Sequence, residues 1–224
     1  MPATPDMPAT IAFSDFAGAG FSLGDAVIPA GAECLLLVDN AEQGEEVLNC
    51  LSGLRPPARG RASLLGRDLI HLPRDERLQV LARIGIVPSG GGLLTNLPAW
   101  QNIMLARQYQ ANLRYEKITE TFADALRFCA QDHEPVEGWM SQLPDYLSHY
   151  QRRLTAFLRL MLCSPAVCIY ENLMGNLHTH QQESLLALTR RFHAQRPGRI
   201  SLYVEFDPLP LTTPWSGQTL QARP

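Results

Sequence analysis

Apolar residues are grouped along this chain in two distinct ways. Leu35-Leu-Leu-Val38, Ile84-Gly-Ile-Val87, Val167-Cys-Ile-Tyr170 and Ile200-Ser-Leu-Tyr-Val204 are short continuous runs, the pattern of strands covered on both faces. Between them the spacing turns helical. Residues 44–54 place Val47, Leu48, Leu51 and Leu54 on one stripe, and Asp75–Ala82, Ser148–Leu162 and Gln181–Gln195 read as further helices. Buried strands alternating with helices predict an α/β fold around a mostly parallel sheet. From Ile11 to Ile28, short apolar segments alternate with glycine, and Ala62–Leu69 reads as a hairpin, so an antiparallel β part is expected beside the parallel core.

These elements divide the chain. Residues 1–10 are rich in Pro and Ala and are expected to be disordered. A core begins at 11–97, is interrupted by a helical subdomain over 98–146 and resumes over 147–207. The tail, 208–224, carries four of the 17 prolines and is expected to wrap or fray.

With 46% apolar and 18% charged residues, 224 residues can bury a substantial core. A net charge of -3 gives no field that would draw in nucleic acid. Arg152 and Arg153 are the one tight basic pair near a candidate site, and a solvated helix face explains them as well as a ligand does. Of the five cysteines, none has C-x-x-C spacing and four lie in apolar runs, so buried thiols are expected rather than a metal or redox site. The beginning of the sequence has no basic start followed by an apolar run, unlike a signal peptide. No stretch approaches the roughly 20 apolar residues that span a bilayer.

Five short segments, in order, carry a family resemblance. Val87-Pro-Ser-Gly-Gly-Gly-Leu-Leu94 resembles the Q-loop stretch of ATP-binding-cassette (ABC) ATPases. Leu97-Pro-Ala-Trp-Gln-Asn-Ile103 resembles the segment that opens their helical subdomain, and Leu147-Ser-His-Tyr-Gln-Arg-Arg153 resembles their signature motif. Val167–Asn172 falls on the Walker B strand and Ile200–Asp207 on the switch-histidine strand. The match covers residues 11–207. The Q-loop stretch is most similar to the ATPases of bacterial lipid-trafficking systems that work with mammalian-cell-entry-type proteins. The resemblance implies a P-loop NTPase-like parallel core, an antiparallel β part and a helical subdomain.

The residues that such a site needs are largely replaced. A P-loop closes glycine amides, a Lys and a Ser or Thr around phosphate and magnesium. In that slot stands Val38-Asp-Asn-Ala-Glu-Gln-Gly-Glu-Glu-Val47, with Gly44 at the Lys position and Glu45 at the hydroxyl position; a one-residue shift puts Glu45 at the Lys position. Asp39, Glu42, Glu45 and Glu46 oppose a polyanion: at 4 Å a like-charge pair costs about 1 kcal/mol even in water. Carboxylates at a helix N-terminus also offset its dipole. Glu171 takes the Walker B Asp slot, and Asn172 takes that of the Glu that would polarise water, a role a carboxamide cannot fill. Ser89 replaces the Q-loop Gln, His178 the D-loop Asp and Phe206 the switch His. In the signature, His149 and Tyr150 replace two glycines, while Ser148 and Gln151 remain. Phe16 is the candidate to stack on adenine, or a core Phe. His178 and His180 read as surface residues rather than metal ligands.

No residue is read as catalytic, and no metal site is expected. If any nucleotide binding is kept, ATP and magnesium are the cofactors the resemblance implies. The implied function is a catalytically degenerate ABC subunit of a transport or lipid-trafficking system, cytoplasmic and peripheral to the inner membrane. Its partners would be a membrane permease and a second, active ABC ATPase, not nucleic acid. The alternatives are a working ATP-binding subunit with atypical motifs, and a soluble scaffold unconnected to transport.

Overall fold

The computed structural model describes residues 10–108, 123–128, 138–209 and 215–223. Its middle layer is a five-stranded sheet in which β3 (Glu33–Leu37), β5 (Ile84–Val87), β6 (Val167–Glu171), β7 (Ile200–Glu205) and β8 (Gln218–Gln221) lie in the order β5-β6-β7-β3-β8. Every pairing in it is parallel. A second, antiparallel sheet has the order β2-β1-β4, formed by β1 (Ile11–Gly18), β2 (Phe21–Ile28) and β4 (Arg59–Leu64).

Strand alternation decides what each face of the parallel sheet touches. Cys34, Leu36, Ile169, Leu202 and Val204 turn toward the antiparallel sheet and helix α1 (Ala41–Leu51). Leu35, Cys168, Tyr170 and Tyr203 turn toward the other side, where helices α4 (His149–Cys163) and α5 (Thr179–Ala194) pack. Tyr170 and Tyr203 stack there with ring centroids 4.9 Å apart. Two apolar cores, one on each face, are why the strands read as unbroken apolar runs.

Helices α2 (Arg74–Leu81) and α3 (Ala99–Gln108) follow the predicted positions. Residues 123–128 are also helical, while 109–122 and 129–137 of the expected helical subdomain lie outside the described residues. So do residues 1–9 of the expected disordered start.

Three expectations are corrected. Helix α1 begins at Ala41, three residues before the predicted start, because Asn40 caps it. The predicted 62–69 hairpin is instead a strand, β4, that pairs with β1, ending in a tight Leu64–Arg67 turn through Leu65 (φ 53) and Gly66 (φ 70). The tail contributes β8, which extends the parallel sheet beside β3. Trp215 anchors it: its ring packs edge-on against Tyr203 at 5.7 Å and its indole N–H donates to the Gln218 carbonyl at 3.2 Å.

The thiols of Cys34, Cys50 and Cys168 are buried. Burial pushes Cys34 up to about 12, and Cys50 and Cys168 up to about 11, so these are inert thiols. Among the described residues no helix is long and apolar enough to cross a membrane.

Candidate functional site

The carboxyl ends of β3, β6 and β7 meet at one edge of the parallel sheet, the place where open α/β sheets hold their ligands. Leu37, Glu171 and Glu205 mark the three ends.

Beyond β3 only Val38, Asp39 and Asn40 precede α1. Asn40 Oδ1 accepts the amide of Gln43 at 3.0 Å, and the Asn40 carbonyl accepts that of Gly44 at 3.2 Å. Gln43 reaches back, its Oε1 accepting the Asp39 amide at 3.0 Å and its Nε2 donating to Asp39 Oδ2 at 3.3 Å. A helix N-terminus attracts anions through amides that have no partner within the helix; here that of Gln43 is taken by the Asn40 side chain, while Gly44 makes the first regular helical bond. No residue from Val38 to Ser52 has positive φ.

Gly44 is buried, and a Cβ built on it would lie 3.5 Å from the Phe206 ring and 3.8 Å from Glu171 Oε1. Glu45 is exposed. The Glu46 carboxylate accepts the Ala19 amide, from the β1–β2 turn, at 3.0 and 3.1 Å. A cavity of about 470 Å³ lies between that turn and α1, lined by Glu42, Glu45, Glu46, Asn49 and Arg55 among others. Tested against a triphosphate with magnesium, these residues do not fit: the wall is acidic, no lysine or hydroxyl stands at the slot, and the Gln43 amide at its head is taken by Asn40. The chain's one lysine, Lys117, is far from this slot in sequence.

On β6, Glu171 is buried and its Oε2 accepts the Ser89 amide at 3.1 Å. The sequence-predicted pair is therefore joined, but through the Ser89 backbone, with the short side chain left out. Asn172 follows with φ 42, its amide bonded to the Val204 carbonyl at 2.7 Å. Phe206 is half-buried and packs on the core beside α1.

Helix α4 opens with a capping box: Ser148 Oγ accepts the Gln151 amide at 3.2 Å, and Gln151 Oε1 accepts the Ser148 amide at 2.9 Å. These two signature-like residues thus satisfy one another. His149 is exposed, whereas the Tyr150 ring packs against the core. Of the two rings that replace glycines, only His149 stands out into solvent.

Phe16, read as an adenine platform or a core Phe, is the latter. It is fully buried, edge-on to Phe13 at 5.1 Å and 6.1 Å from Phe21. His178 caps α5 and His180 lies in its first turn; both are exposed, apart from the sheet edge, and among the described residues no group of side chains could hold a metal ion.

Two residues at this edge escaped the sequence reading. Arg153, expected on a solvated face, is only 3% exposed. It donates to the Gly175 carbonyl and, at 3.4 Å, to the Ser89 carbonyl. Glu205 is equally buried, and its Oε1 accepts the Leu173 amide at 2.8 Å. Burial pushes its carboxyl up to about 8, against the pull of the Leu173 and Met174 amides and of Arg153. Burial likewise lowers the Arg153 pKa, with Glu205 opposing. Glu205 ends an apolar strand, but nothing in the sequence around it or around Arg153 tells a buried charge from a solvated one.

No protein-family model matches the chain. It is similar to curated ATP-binding proteins: 27% identical over 167 residues to the methionine import ATP-binding protein MetN of Brucella abortus, covering 74% of this chain and 44% of that one. It is 28% identical over 170 residues to the Nod factor export ATP-binding protein I of Azorhizobium caulinodans, covering 72% and 47%. With the sulfate/thiosulfate import ATP-binding protein CysA of Mycobacterium tuberculosis the identity is 25% over 169 residues, covering 75% and 45%. The matched part is therefore under half the length of these relatives. Among solved structures, cbiO1 of Clostridium perfringens, part of an ABC transporter complex, superposes with a TM-score of 0.71 at 15% identity, covering 88% of this chain and 78% of the other. A bacterial ABC transporter cassette solved as a dimer gives 0.72 at 18% identity, covering 88% of both chains. The chain has the fold of an ABC ATPase cassette and is similar in sequence to the ATP-binding subunits of ABC transporters.

Proposed function

We propose that this chain is a degenerate ABC-type subunit of a membrane transport system, one that contributes binding surface rather than ATP hydrolysis. The observation that carries the reading is the N-terminus of α1, where Asn40 takes the Gln43 amide, Gln43 takes that of Asp39, and Glu42, Glu45 and Glu46 line the adjoining cavity. Asn172, which can take no proton from water, and Phe206 support it at the ends of β6 and β7.

The partner is a membrane permease, met from the cytoplasmic side, and the docking surface is the groove between Ser89–Asn102 and the helical segment. Leu94, Trp100, Leu143 and Tyr146 are exposed there, with Tyr146 at 77%. Hydrogen bonds tie the segments that carry them: Trp100 N–H donates to the Met140 carbonyl at 3.0 Å, and the Asn102 side chain bonds both the amide and the carbonyl of Leu94. Apolar side chains grouped on one surface mark an interaction site. The 87–94 stretch further suggests a system of the lipid-trafficking kind.

Two measurements test this. Calorimetric titration with ATP and magnesium should show no tight binding, and turnover should stay at background; turnover that Glu171→Ala abolishes would overturn the reading. Pull-down from native membranes should recover a permease, and the Trp100→Ala, Tyr146→Ser double variant should lose it. Recovery of an active ABC ATPase as well would place the chain in a heterodimer, facing that partner's nucleotide with His149.

A further inference from the structure

Two loops frame the sheet edge: residues 88–92 after β5, and residues 172–177 between β6 and α5. Neither is regular. Gly91 and Gly92 have φ of 81 and 54, and Asn172 and Asn176, which are not glycines, have φ of 42 and 57. Such loops need outside support to keep one shape.

That support comes from side chains on their neighbours, Arg153 and Glu205 buried and Arg159 partly so. Helix α4 grips the first loop by three carbonyls: Arg153 takes Ser89, and Arg159 takes Gly91 at 3.0 Å and Gly92 at 2.8 Å. The second loop is held from both ends of one short segment. Glu205, on β7, takes the Leu173 amide at 2.8 Å, while Arg153 takes the Gly175 carbonyl. The first loop is tied in turn to β6, through Ser89 N–H and Glu171 Oε2. Arg153 is thus the one side chain, among the described residues, bonded to both loops.

Its setting is costly. The guanidinium is 3% exposed and its Nε has no partner. A buried charge with an unused donor is kept against a desolvation penalty, and removing its partners leaves it stranded. Packing alone would be served better by an apolar side chain of similar length.

We infer that Arg153, with Glu205 opposite it, is a built-in latch that joins the 88–92 and 172–177 loops into one unit, ordering both without a bound ligand. The two loops then open together or not at all. The inference concerns the free chain and stands independently of the proposed transport role.

Hydrogen–deuterium exchange on the full chain tests it. In Arg153→Met, amides of residues 88–92 and 172–177 should exchange at least tenfold faster, in both loops alike, with residues 11–28 unchanged. Arg152→Met, which removes bonds only to the Pro144 and Asp145 carbonyls, should alter neither loop. Glu205→Gln, which keeps an oxygen acceptor for Leu173, should leave both loops slow. If Arg153→Met fails to fold, Arg153→Lys, which keeps charge but not the two-ended fork, should speed both loops together. Faster exchange in only one loop, in neither, or equally across the molecule overturns the latch.

Discussion

Asn40 Oδ1 accepts the amide of Gln43 at 3.0 Å, and that bond takes one of the first-turn amides of α1 that an anion would otherwise meet. The cap serves the helix. Asn40→Ala should lower stability by about 1 kcal/mol, the usual cost of losing an N-cap. Urea unfolding followed by circular dichroism reads this directly, and an unchanged midpoint would show that Asn40 does not carry the helix start.

Rebuilding the slot therefore takes more than the missing residues. Gln43→Gly, Gly44→Lys and Glu45→Thr together supply a glycine, a lysine and a hydroxyl but leave the Asn40 cap in place. Adding Asn40→Gly frees the amide of residue 43 as well, and this fourfold variant should bind ATP at least tenfold better than the threefold one. Calorimetry compares the two. Equal affinities would mean that the cap is irrelevant and the acidic wall formed by Glu42 and Glu46 decides.

Phe16 gives a cleaner separation of core from ligand platform. Its ring is fully buried between Phe13 and Phe21. Phe16→Ala should cost roughly 3–5 kcal/mol, the range for emptying a buried aromatic site. Chemical denaturation measures it; a loss under about 1 kcal/mol would return Phe16 to the surface.

Glu205 sets a pH dependence. Its carboxyl keeps a proton up to about 8 in the folded chain, against a usual 4.5. Between those values the unfolded chain has released a proton that the folded chain retains. Stability should thus fall as pH rises through this window, by at most about 1.4 kcal/mol per pH unit, and level off above it. Arg153, from α4, weakens the effect and Asp207, just after β7, strengthens it. Unfolding midpoints at pH 5.5, 7 and 8.5 should converge in Glu205→Gln. A wild-type curve of the same shape as the variant's would remove Glu205 from the account.

The strands at 84–87, 167–171 and 200–205 were legible because a sheet covered on both faces needs apolar side chains at every position. The same logic hid β8. Gln218-Thr-Leu-Gln221 is an edge strand with two exposed positions, and only Trp215 on Tyr203 reveals why it docks. The start of α1 is readable in principle, since Asn40 with Gln43 three residues on is a cap pattern, but the same residues fall in the slot of a P-loop, which masks the cap. Ser148 and Gln151 match the signature motif in sequence, yet their bonds to one another make them a helix cap. Arg153 and Glu205 lie far apart in sequence, and no local pattern tells a buried charge from a solvated one. Both emerge only when α4 and β7 are brought to the same loop.

The left-handed backbone at Asn172 has a consequence for any attempt to give this site a general base. Asn is among the few residues that occupy that region with ease; a glutamate there would be strained by about 1–2 kcal/mol. The side chain of Asn172 also lies against Gly175, where a Cβ would sit 2.2 Å from Asn172 Oδ1. Asn172 and Gly175 are thus matched in shape as well as position. Asn172→Glu would place a longer carboxylate on a backbone suited to a shorter carboxamide, so that the missing chemistry and the present geometry are not exchangeable one residue at a time.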